Sequence, residues 1–244
     1  MECIILAAGK NERLQGMVAP YHKPLIVVNG KPLIVQLIED CIPRFSSIIL
    51  VLAPQNAVAV CSILTATKLL DQVHVVIQPD ARGPGEALAR GLRLVKTLQV
   101  MILCGDNIVG ADALDSVLDA AKSGASSIYF GARAVYDREK AKNFTRLTPV
   151  TYKFEEGSTI SYGAGGNGRE THICWIGPLV INSLAGHEVF SGLSTKFVGL
   201  GEIKIGSHLN ALHAQPVPVY VKCYDIGLPE AVAERSKFDD QNKA

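Results

Sequence analysis

The sequence has almost no net charge, no long apolar run and no closely spaced cysteines. Its 24 basic and 23 acidic residues give a formal charge of +1 without a long run of either sign, which argues against a nucleic-acid surface. No apolar run approaches the roughly 18 residues of a membrane span, and the first apolar strand begins at residue 3, which leaves no room for a signal peptide. The six cysteines form no C-x-x-C pair and are expected to be reduced thiols. We therefore expect a cytoplasmic protein that binds neither nucleic acid nor membrane.

The loop after the first strand also lacks the two best-known phosphate-binding signatures. It has neither the G-x-x-x-x-G-K-[ST] spacing of a P-loop nor the G-x-G-x-x-G of a dinucleotide-binding turn. No Ser-His-Asp or Cys-His constellation stands out in the chain, and the six histidines show no metal-ligand spacing. These absences disfavour P-loop enzymes, dinucleotide-dependent enzymes and triad hydrolases.

The composition that is present describes a folded globular protein. Hydrophobic residues make up 48% of the 244 positions and charged residues 19%, which is far from the disordered regime. This length suits one large domain better than two independent ones. We expect a single domain over 1–244, with a nucleotide-binding half at 1–125 and an acceptor-binding half at 126–244.

Apolar strands alternate with amphipathic helices through the first half of the chain. This order implies an α/β fold with βαβ crossovers and a mainly parallel sheet. A hairpin is predicted from Val150–Phe154 and Thr159–Tyr162. The predicted strands are Cys3–Ala8, Ser47–Leu52, Val73–Ile77, Val100–Cys104, Ser127–Val135, Ile173–Ile181 and Val217–Cys223, and the predicted helices are Pro32–Cys41, Ala57–Leu70, one that begins at Pro84, Ala111–Lys122 and Pro229–Phe238.

The long polar loop after the first strand has features of a phosphate-binding segment. Gly9 lets backbone N–H groups approach an anion, and Arg13 and Lys23 supply positive charge for phosphate oxygens. An ordinary glycine turn with two solvated cations would explain the same residues. The candidate nucleotide-binding positions here are Leu6, Ala7, Ala8 and Gly9.

A second polar segment follows the third predicted strand. Ligands of such sheets gather beyond the carboxyl ends of the strands. Gln78 offers a donor and an acceptor that match the imide edge of uracil or thymine, and Gly83 and Gly85 expose backbone groups nearby. A plain polar turn closed by proline and glycine is the alternative.

Two aspartates follow apolar strands and have small or polar neighbours. Asp106 follows Gly105 after the strand that ends at Cys104, and Asp225 comes two residues after the last predicted strand. Carboxylates at such positions are good ligands for Mg²⁺, although each one alone is commonly a turn or helix cap. Their pairing with the phosphate-type loop favours a metal site.

With these segments in place, the chain resembles the sugar-1-phosphate nucleotidylyltransferases, above all the thymidylyl and uridylyl enzymes. That family has L-A-G-G-x-G-T-R-L, K-P-L, Q-P, G-D-N, L-E-I-T-D-x-N and L-D-T-G segments in this order. The matching segments here are Leu6 to Leu14, Lys23-Pro24-Leu25, Gln78-Pro79, Gly105-Asp106-Asn107, Gly201-Glu202-Ile203 with Leu209-Asn210, and Tyr224-Asp225-Ile226-Gly227.

The resemblance implies a three-layer α/β fold with a mainly parallel, Rossmann-like sheet of the nucleotide-diphospho-sugar transferase type and a small β-rich acceptor-binding part. It also implies nucleotidylyl transfer from UTP or dTTP to a phosphorylated small molecule, with Mg²⁺ as cofactor and a homo-oligomer as one possible assembly. Catalytic roles would fall to Arg13, Lys23, Asp106 and Asp225, the two aspartates binding the metal.

The chain departs from the family pattern on the acceptor side. The family's E-K-P segment is missing after Glu156, where the chain has Gly163-Ala164-Gly165-Gly166 instead. Arg146, Lys153 and Arg169 are the nearest cations that could replace its lysine. A non-catalytic nucleotide or nucleotide-sugar binder of the same fold is one alternative, and the missing segment is its best support. A glycosyltransferase is another, although Asp106 is not part of a D-x-D metal motif.

Overall fold

A seven-stranded sheet forms the centre of the protein. In this computed structural model the described residues are 1–9, 23–80, 82–135, 150–151, 161–162, 172–196, 202–212, 214 and 216–225. The strand order across the sheet is β12 (Val217–Tyr220), β8 (Ile128–Val135), β11 (His172–Asn182), β6 (Gln99–Cys104), β1 (Glu2–Ala7), β4 (Ile48–Leu52) and β5 (His74–Ile77). Strands β6, β1, β4 and β5 are parallel, β11 runs antiparallel to both β6 and β8, and β12 is parallel to β8. The prediction of a mainly parallel α/β sheet is confirmed.

Most strands of this sheet are short and apolar, as the sequence predicts, whereas β11 spans 11 residues. Among the described residues, three small two-stranded sheets accompany it: β2 Val27–Val28 with β3 Lys31–Pro32, β7 Asn107–Val109 with β13 Cys223–Asp225, and β9 Val150–Thr151 with β10 Ser161–Tyr162. The last of these pairs the outer ends of the two predicted hairpin strands, and residues 152–160 of that hairpin lie outside the described residues.

Helices cover both faces of the large sheet. The helices are α1 Leu33–Cys41, α2 Pro54–Ala66, α3 Pro84–Leu92, α4 Ala111–Lys122 and α5 Ser183–Lys196. Side chains of β1 alternate between two apolar cores, because successive residues of a strand point to opposite faces. Cys3, Ile5 and Ala7 pack with α1, α2 and α4, whereas Ile4 and Leu6 pack with α3, Phe190 of α5 and apolar residues of 203–212. The sheet is therefore the middle of three layers.

Helix α2 lies about three residues earlier in the chain than the sequence predicts. The predicted helix Ala57–Leu70 is wrong at both ends, since α2 spans Pro54–Ala66. Pro54 at the first helical position is already set to a helical φ. At the other end, Lys68 adopts a left-handed φ of 60°, which stops the helix before Leu70.

The last predicted strand is divided into two strands in different sheets. Instead of one strand over Val217–Cys223, β12 pairs with β8 at the edge of the large sheet and β13 pairs with β7. The chain leaves the edge after the N–H of Val221 donates to the Ala132 carbonyl. Asp225 is therefore the last residue of a strand rather than a residue beyond one.

Two further observations concern the rest of the chain. The predicted helix Pro229–Phe238 lies outside the described residues. Within the part of the chain that the structure describes, no helix combines the length and the apolar character needed to cross a membrane.

Candidate active site

Strand β1 ends at the surface with one exposed glycine. Leu6, Ala7 and Ala8 are buried, whereas Gly9 is exposed. The Ala7 carbonyl accepts a hydrogen bond from Asn56 Nδ2 at 2.7 Å, so this strand end is fixed from the side of α2. Of the predicted loop residues, Gly9 is the one whose backbone is accessible to a ligand, and Arg13 lies outside the described residues.

Asp106 lies next to this strand end because Gly105 has no side chain. The Gly105 N–H donates to the Leu6 carbonyl at 2.8 Å. A Cβ at Gly105 would lie 2.8 Å from the Ala7 Cβ, closer than real side chains approach one another. The glycine therefore lets β6 and β1 end side by side, and the next residue, Asp106, leaves the sheet at that point.

Lys23 and Asp106 form an ion pair at this edge. The Lys23 Nζ donates to Asp106 Oδ2 at 3.0 Å, although 83 positions separate the two residues. The Lys23 side chain is 11% exposed and that of Asp106 is 31% exposed. A nearly buried ammonium group needs a counter-charge, and Asp106 supplies it. The structure thus brings together two residues that the sequence predicts to be catalytic.

The backbone of Asp225 lies beside the same segment. In the antiparallel pair of β13 with β7, Asp225 is directly opposite Asn107, the residue after Asp106. Residues in such a pair are about 4.5 to 5.5 Å apart at their Cα atoms. The two predicted metal-binding aspartates therefore lie on neighbouring chain segments.

The chemistry of this segment suits a hard divalent cation. Asp106 offers carboxylate oxygens, and its Oδ2 already has a cation, the Lys23 ammonium, at 3.0 Å. The Oδ1 atom of Asn107 is buried and has no hydrogen-bond partner among the described residues. Oxygen ligands of this kind are what Mg²⁺ prefers. The described residues contain no cluster of three or more His, Cys, Asp or Glu side chains.

Gln78 lies almost entirely inside the protein, directly after β5. Gln78 is 3% exposed, and its backbone N–H donates to the Leu52 carbonyl at 2.8 Å. Its Nε2 donates to the Gly83 carbonyl at 3.0 Å. The sequence predicts that the Gln78 side chain pairs with a base. In the structure, one of its two N–H groups is already bonded to the turn that contains Gly83.

This turn, 82–85, packs against a segment from the second half of the chain. The Ile203 N–H donates to the Arg82 carbonyl at 2.9 Å, and the Gly85 N–H donates to the Ile203 carbonyl at 2.7 Å. Gly83 has a φ of +88°, and a Cβ there would lie 2.8 Å from the Ile203 nitrogen. Both glycines are thus required by close backbone contact as well as by any contact with a ligand.

Glu86 in the first turn of α3 is a buried acid for which the sequence analysis assigns no role. It is 1% exposed and forms an ion pair with Arg90, one helical turn later. Its Oε2 has no hydrogen-bond partner among the described residues. The Glu-to-Arg spacing of four residues on a helix is visible in the sequence, but the burial of Glu86 is not.

The acceptor-binding role of three cations stays a prediction. Arg146, Lys153 and Arg169 all lie outside the described residues. The structure therefore brings together Lys23, Asp106 and the backbone of Asp225 next to the end of β1, two residues before Gly9, and it joins Gln78 to Gly83 in a separate turn.

Comparison with known proteins gives a family match and several similar folds. The model of the nucleotidyl transferase family matches residues 2–154, which is more than half of the chain. A bifunctional protein GlmU from Methanococcus maripaludis strain S2 is 29% identical over 119 residues, and the match covers 49% of this chain and 28% of that protein. The chain thus corresponds to a limited part of that relative's length.

Solved structures resemble nearly the whole chain at low sequence identity. A putative glucose-1-phosphate thymidylyltransferase from Bacillus anthracis aligns with a TM-score of 0.77 at 18% identity, covering 97% of this chain and 94% of that one. The inositol-1-phosphate CTP transferase from T. maritima aligns with a TM-score of 0.71 at 16% identity, covering 98% and 96%. At these identities the likeness establishes the fold.

Proposed function

Because the chain belongs to the nucleotidyl transferase family, we propose that it transfers a nucleotidyl group from UTP or dTTP to a phosphorylated acceptor, a sugar 1-phosphate, with release of pyrophosphate. The observation that supports this most directly is the ion pair of Lys23 and Asp106 at the shared end of β1 and β6. A cation for phosphate and a carboxylate for metal lie together next to the end of β1, and the exposed Gly9 follows that strand by two residues. This combination suits phosphate chemistry better than hydrolysis by a nucleophilic side chain.

The reaction requires little covalent participation from the protein. An oxygen of the acceptor's phosphate forms a bond to the α-phosphorus in line with the bond that breaks, and pyrophosphate leaves with the electron pair of that bond. The acceptor's phosphate is already ionised near neutral pH, so no general base is needed. The protein's contribution is alignment of the two phosphates and neutralisation of their charge.

Each catalytic side chain has a distinct role in this proposal. Lys23 holds the α-phosphate, and Arg13 holds the departing pyrophosphate. Asp106 and Asp225 would hold Mg²⁺, which when bound neutralises phosphate charge. Asn107 keeps a buried oxygen beside Asp106.

Base recognition is assigned to the first strand end and to the turn at 82–85. We assign one side of this site to the backbone of Leu6, Ala7, Ala8 and Gly9, of which Gly9 is the exposed residue. Gln78 retains one N–H and its carbonyl oxygen after donating to Gly83, and that pair matches the imide edge of uracil or thymine. By their names, two of the similar structures are a putative glucose-1-phosphate thymidylyltransferase and an inositol-1-phosphate CTP transferase, so the choice among pyrimidine triphosphates needs a direct test.

The acceptor side is the part in which this chain differs from the family pattern. We assign the acceptor's phosphate to one of Arg146, Lys153 and Arg169, with Arg169 favoured because it follows the glycine-rich loop directly. The Arg169→Ala variant should lower kcat/KM for the acceptor tenfold or more, which is about the effect of losing one charge-assisted hydrogen bond. Unchanged kinetics would remove Arg169 from the site.

A pyrophosphate-release screen tests the proposed function. UTP, dTTP, CTP, ATP and GTP are each incubated with Mg²⁺ and a panel of sugar and polyol phosphates. The proposal predicts release that depends on the acceptor and is fastest with UTP or dTTP. Pyrophosphate release with ATP or GTP but with none of the pyrimidine triphosphates would contradict the base assignment. Binding of triphosphates without any release of pyrophosphate would favour the non-catalytic alternative.

A further inference from the structure

Lys23 occupies a position at which a metal ion would compete with it. Its Nζ lies 3.0 Å from Asp106 Oδ2, and the lysine is 9% exposed as a whole residue. The Asp106 carboxylate is also the candidate ligand for Mg²⁺. A divalent cation that binds Asp106 must therefore either displace the ammonium group or lie close to it, and two cations beside one carboxylate repel each other.

A triphosphate would relieve this competition. Lysine is a point charge on a flexible four-carbon stem, so its ammonium group can move without rearrangement of the backbone. When phosphates enter beside Gly9, they offer Lys23 a stronger partner than a single carboxylate. Asp106 is then free to bind metal, and the negative phosphates compensate the added charge.

We infer that Lys23 sets the metal affinity of this site. Its ammonium group occupies the Asp106 carboxylate in the free protein and moves to the phosphates when a triphosphate binds, which frees Asp106 for the metal. This inference rests on the proposed function, because it takes Asp106 as a metal ligand and Lys23 as a phosphate ligand. Metal and nucleotide binding are then coupled through one side chain. The free protein binds divalent metal weakly and does not retain it between turnovers.

Metal binding without nucleotide separates this role from a purely structural one. Mn²⁺ is titrated into the whole protein and its free fraction is followed by electron paramagnetic resonance. The Lys23→Met variant removes the competing cation, so it is expected to bind Mn²⁺ about tenfold more tightly than the wild type in the absence of nucleotide, the factor that corresponds to one charge-assisted hydrogen bond. A lysine that only stabilises the fold would give equal or weaker binding after its removal.

Lys31 offers a matched control. It is close in sequence and pairs with Glu39 at 2.8 Å on the exposed surface, so Lys31→Met makes the same change in net charge. Its Mn²⁺ affinity should equal that of the wild type. Adding Asp106→Asn to Lys23→Met should abolish the gain, which ties the metal to Asp106. Lys23→Gln replaces Lys23→Met if the latter fails to fold, and the tighter binding is expected for it too.

A second titration with UTP present and no acceptor distinguishes two kinds of failure. If the wild type binds Mn²⁺ with UTP but neither neutral variant of Lys23 binds it more tightly without UTP, the inference is wrong and the proposed function stands. If the wild type binds Mn²⁺ under neither condition, the metal site fails, and the inference and the metal role of Asp106 are overturned together.

Discussion

Lys23 is nearly buried, and Asp106 makes that burial tolerable. An unpaired buried ammonium group would be costly, whereas this one donates to a carboxylate at 3.0 Å. The pair also leaves a charged group of each sign at the end of β1, where the backbone of Gly9 is exposed. The candidate chemistry depends on these two side chains more than on any others that the structure describes.

Asp106→Asn is expected to lower kcat by at least about a hundredfold in a protein that still folds, and to lower the melting temperature because Lys23 loses its counter-charge. The amide keeps the shape of the side chain but loses the negative charge that a metal requires, and removal of one such electrostatic group commonly has an effect of this size. Steady-state kinetics and thermal melting together measure it. Asp225→Asn should lower kcat to a similar extent.

Asp119 provides the control for this substitution. It is exposed and pairs with Lys122 on the surface of α4, so Asp119→Asn should leave both quantities unchanged. Near-normal turnover of Asp106→Asn at limiting Mg²⁺ would remove Asp106 from the metal site.

Sequence motifs identify residues at the site better than they identify the residues that support it. Lys23 and Asp106 are predicted from their motifs, and the structure places them together. The burial of Asn56 and Glu86 was not predicted, because a polar residue in a helical pattern gives no sign of whether it faces water. Their roles depend on contacts with β1 and Arg90, which only the folded chain reveals.

Backbone hydrogen bonds join the turn at 82–85 to the segment at 202–203. The two backbones can approach this closely because Gly83 and Gly85 have no side chains. The Ile203 N–H and carbonyl both pair with this turn, and Ile203 itself is buried. A segment from the second half of the chain thereby fixes the turn to which Gln78 donates. The predicted base site is consequently held from two distant parts of the chain.

Gly85→Ala is expected to destabilise the protein by about 1 to 3 kcal/mol, the usual cost of inserting a methyl group into a packed site. The added Cβ would lie 2.8 Å from the Ile203 carbonyl oxygen and push the turn away. Urea denaturation measures the stability change, and the KM for the triphosphate should rise at the same time.

Gly110→Ala serves as the matched control for Gly85→Ala. Gly110 precedes α4, and a Cβ there would meet no atom within 4 Å, so the change should stay within about 0.5 kcal/mol. Equal effects of the two alanines would mean that contact with Ile203 is not what fixes the turn.

Asn56 links the start of α2 to the end of β1. It is fully buried, its Oδ1 accepts from the Ala53 N–H at 3.0 Å, and its Nδ2 donates to the Ala7 carbonyl at 2.7 Å. Asn56→Leu leaves two buried backbone groups unsatisfied, which should cost about 2 to 4 kcal/mol. Equilibrium unfolding in urea measures the loss, and Gln55→Ala, at the exposed neighbouring position, should change stability by less than about 0.5 kcal/mol.

Elements with strong apolar periodicity are predicted well, whereas short or divided ones are not. Strand β6 and helix α4 lie where the sequence predicts them. Strand β7 spans three residues, too few to give a periodic pattern, and it exists because β13 pairs with it. The separation of β12 from β13 depends on that same long-range pairing, which local sequence cannot specify.

Helix α5 was also not predicted, although one signal for it is present. The Oδ1 of Asn182 accepts hydrogen bonds from the N–H groups of Leu184 and Ala185, each at 3.0 Å. Asparagine is a preferred residue at such a helix start. The helix follows the long strand β11 without a loop, so the apolar run of the strand conceals the boundary.

The stability of the whole protein should depend on pH through Glu2 at the start of β1. Burial by itself would raise the pKa of this carboxyl group, but donors at Lys96 and Thr97 outweigh it and hold the pKa below its ordinary value of 4.5. The Thr97 N–H donates to Glu2 Oε2 at 2.8 Å. These bonds connect the first strand to the segment before β6.

Because the pKa of Glu2 is lower in the folded state, its stabilising contribution is fully present above pH 4.5 and is lost as the pH falls through the folded-state pKa. We expect Glu2→Gln to reduce the free energy of unfolding at pH 7 and to match the wild type more closely at pH 3. Urea denaturation at several pH values measures both. A difference between the two proteins that stays constant from pH 7 to pH 3 would contradict this assignment.

The central claim for the molecule is transfer of a nucleotidyl group to an acceptor's phosphate, and isotope tracing tests it most directly. An acceptor whose phosphate oxygens are labelled with ¹⁸O is incubated with UTP or dTTP and Mg²⁺. The masses of the products are then measured by mass spectrometry. The account predicts that all the label appears in a nucleoside diphosphate derivative of the acceptor and that equimolar, unlabelled pyrophosphate is formed. Turnover that yields nucleoside monophosphate with no labelled diphosphate product, or a transfer reaction that releases no pyrophosphate, would contradict it.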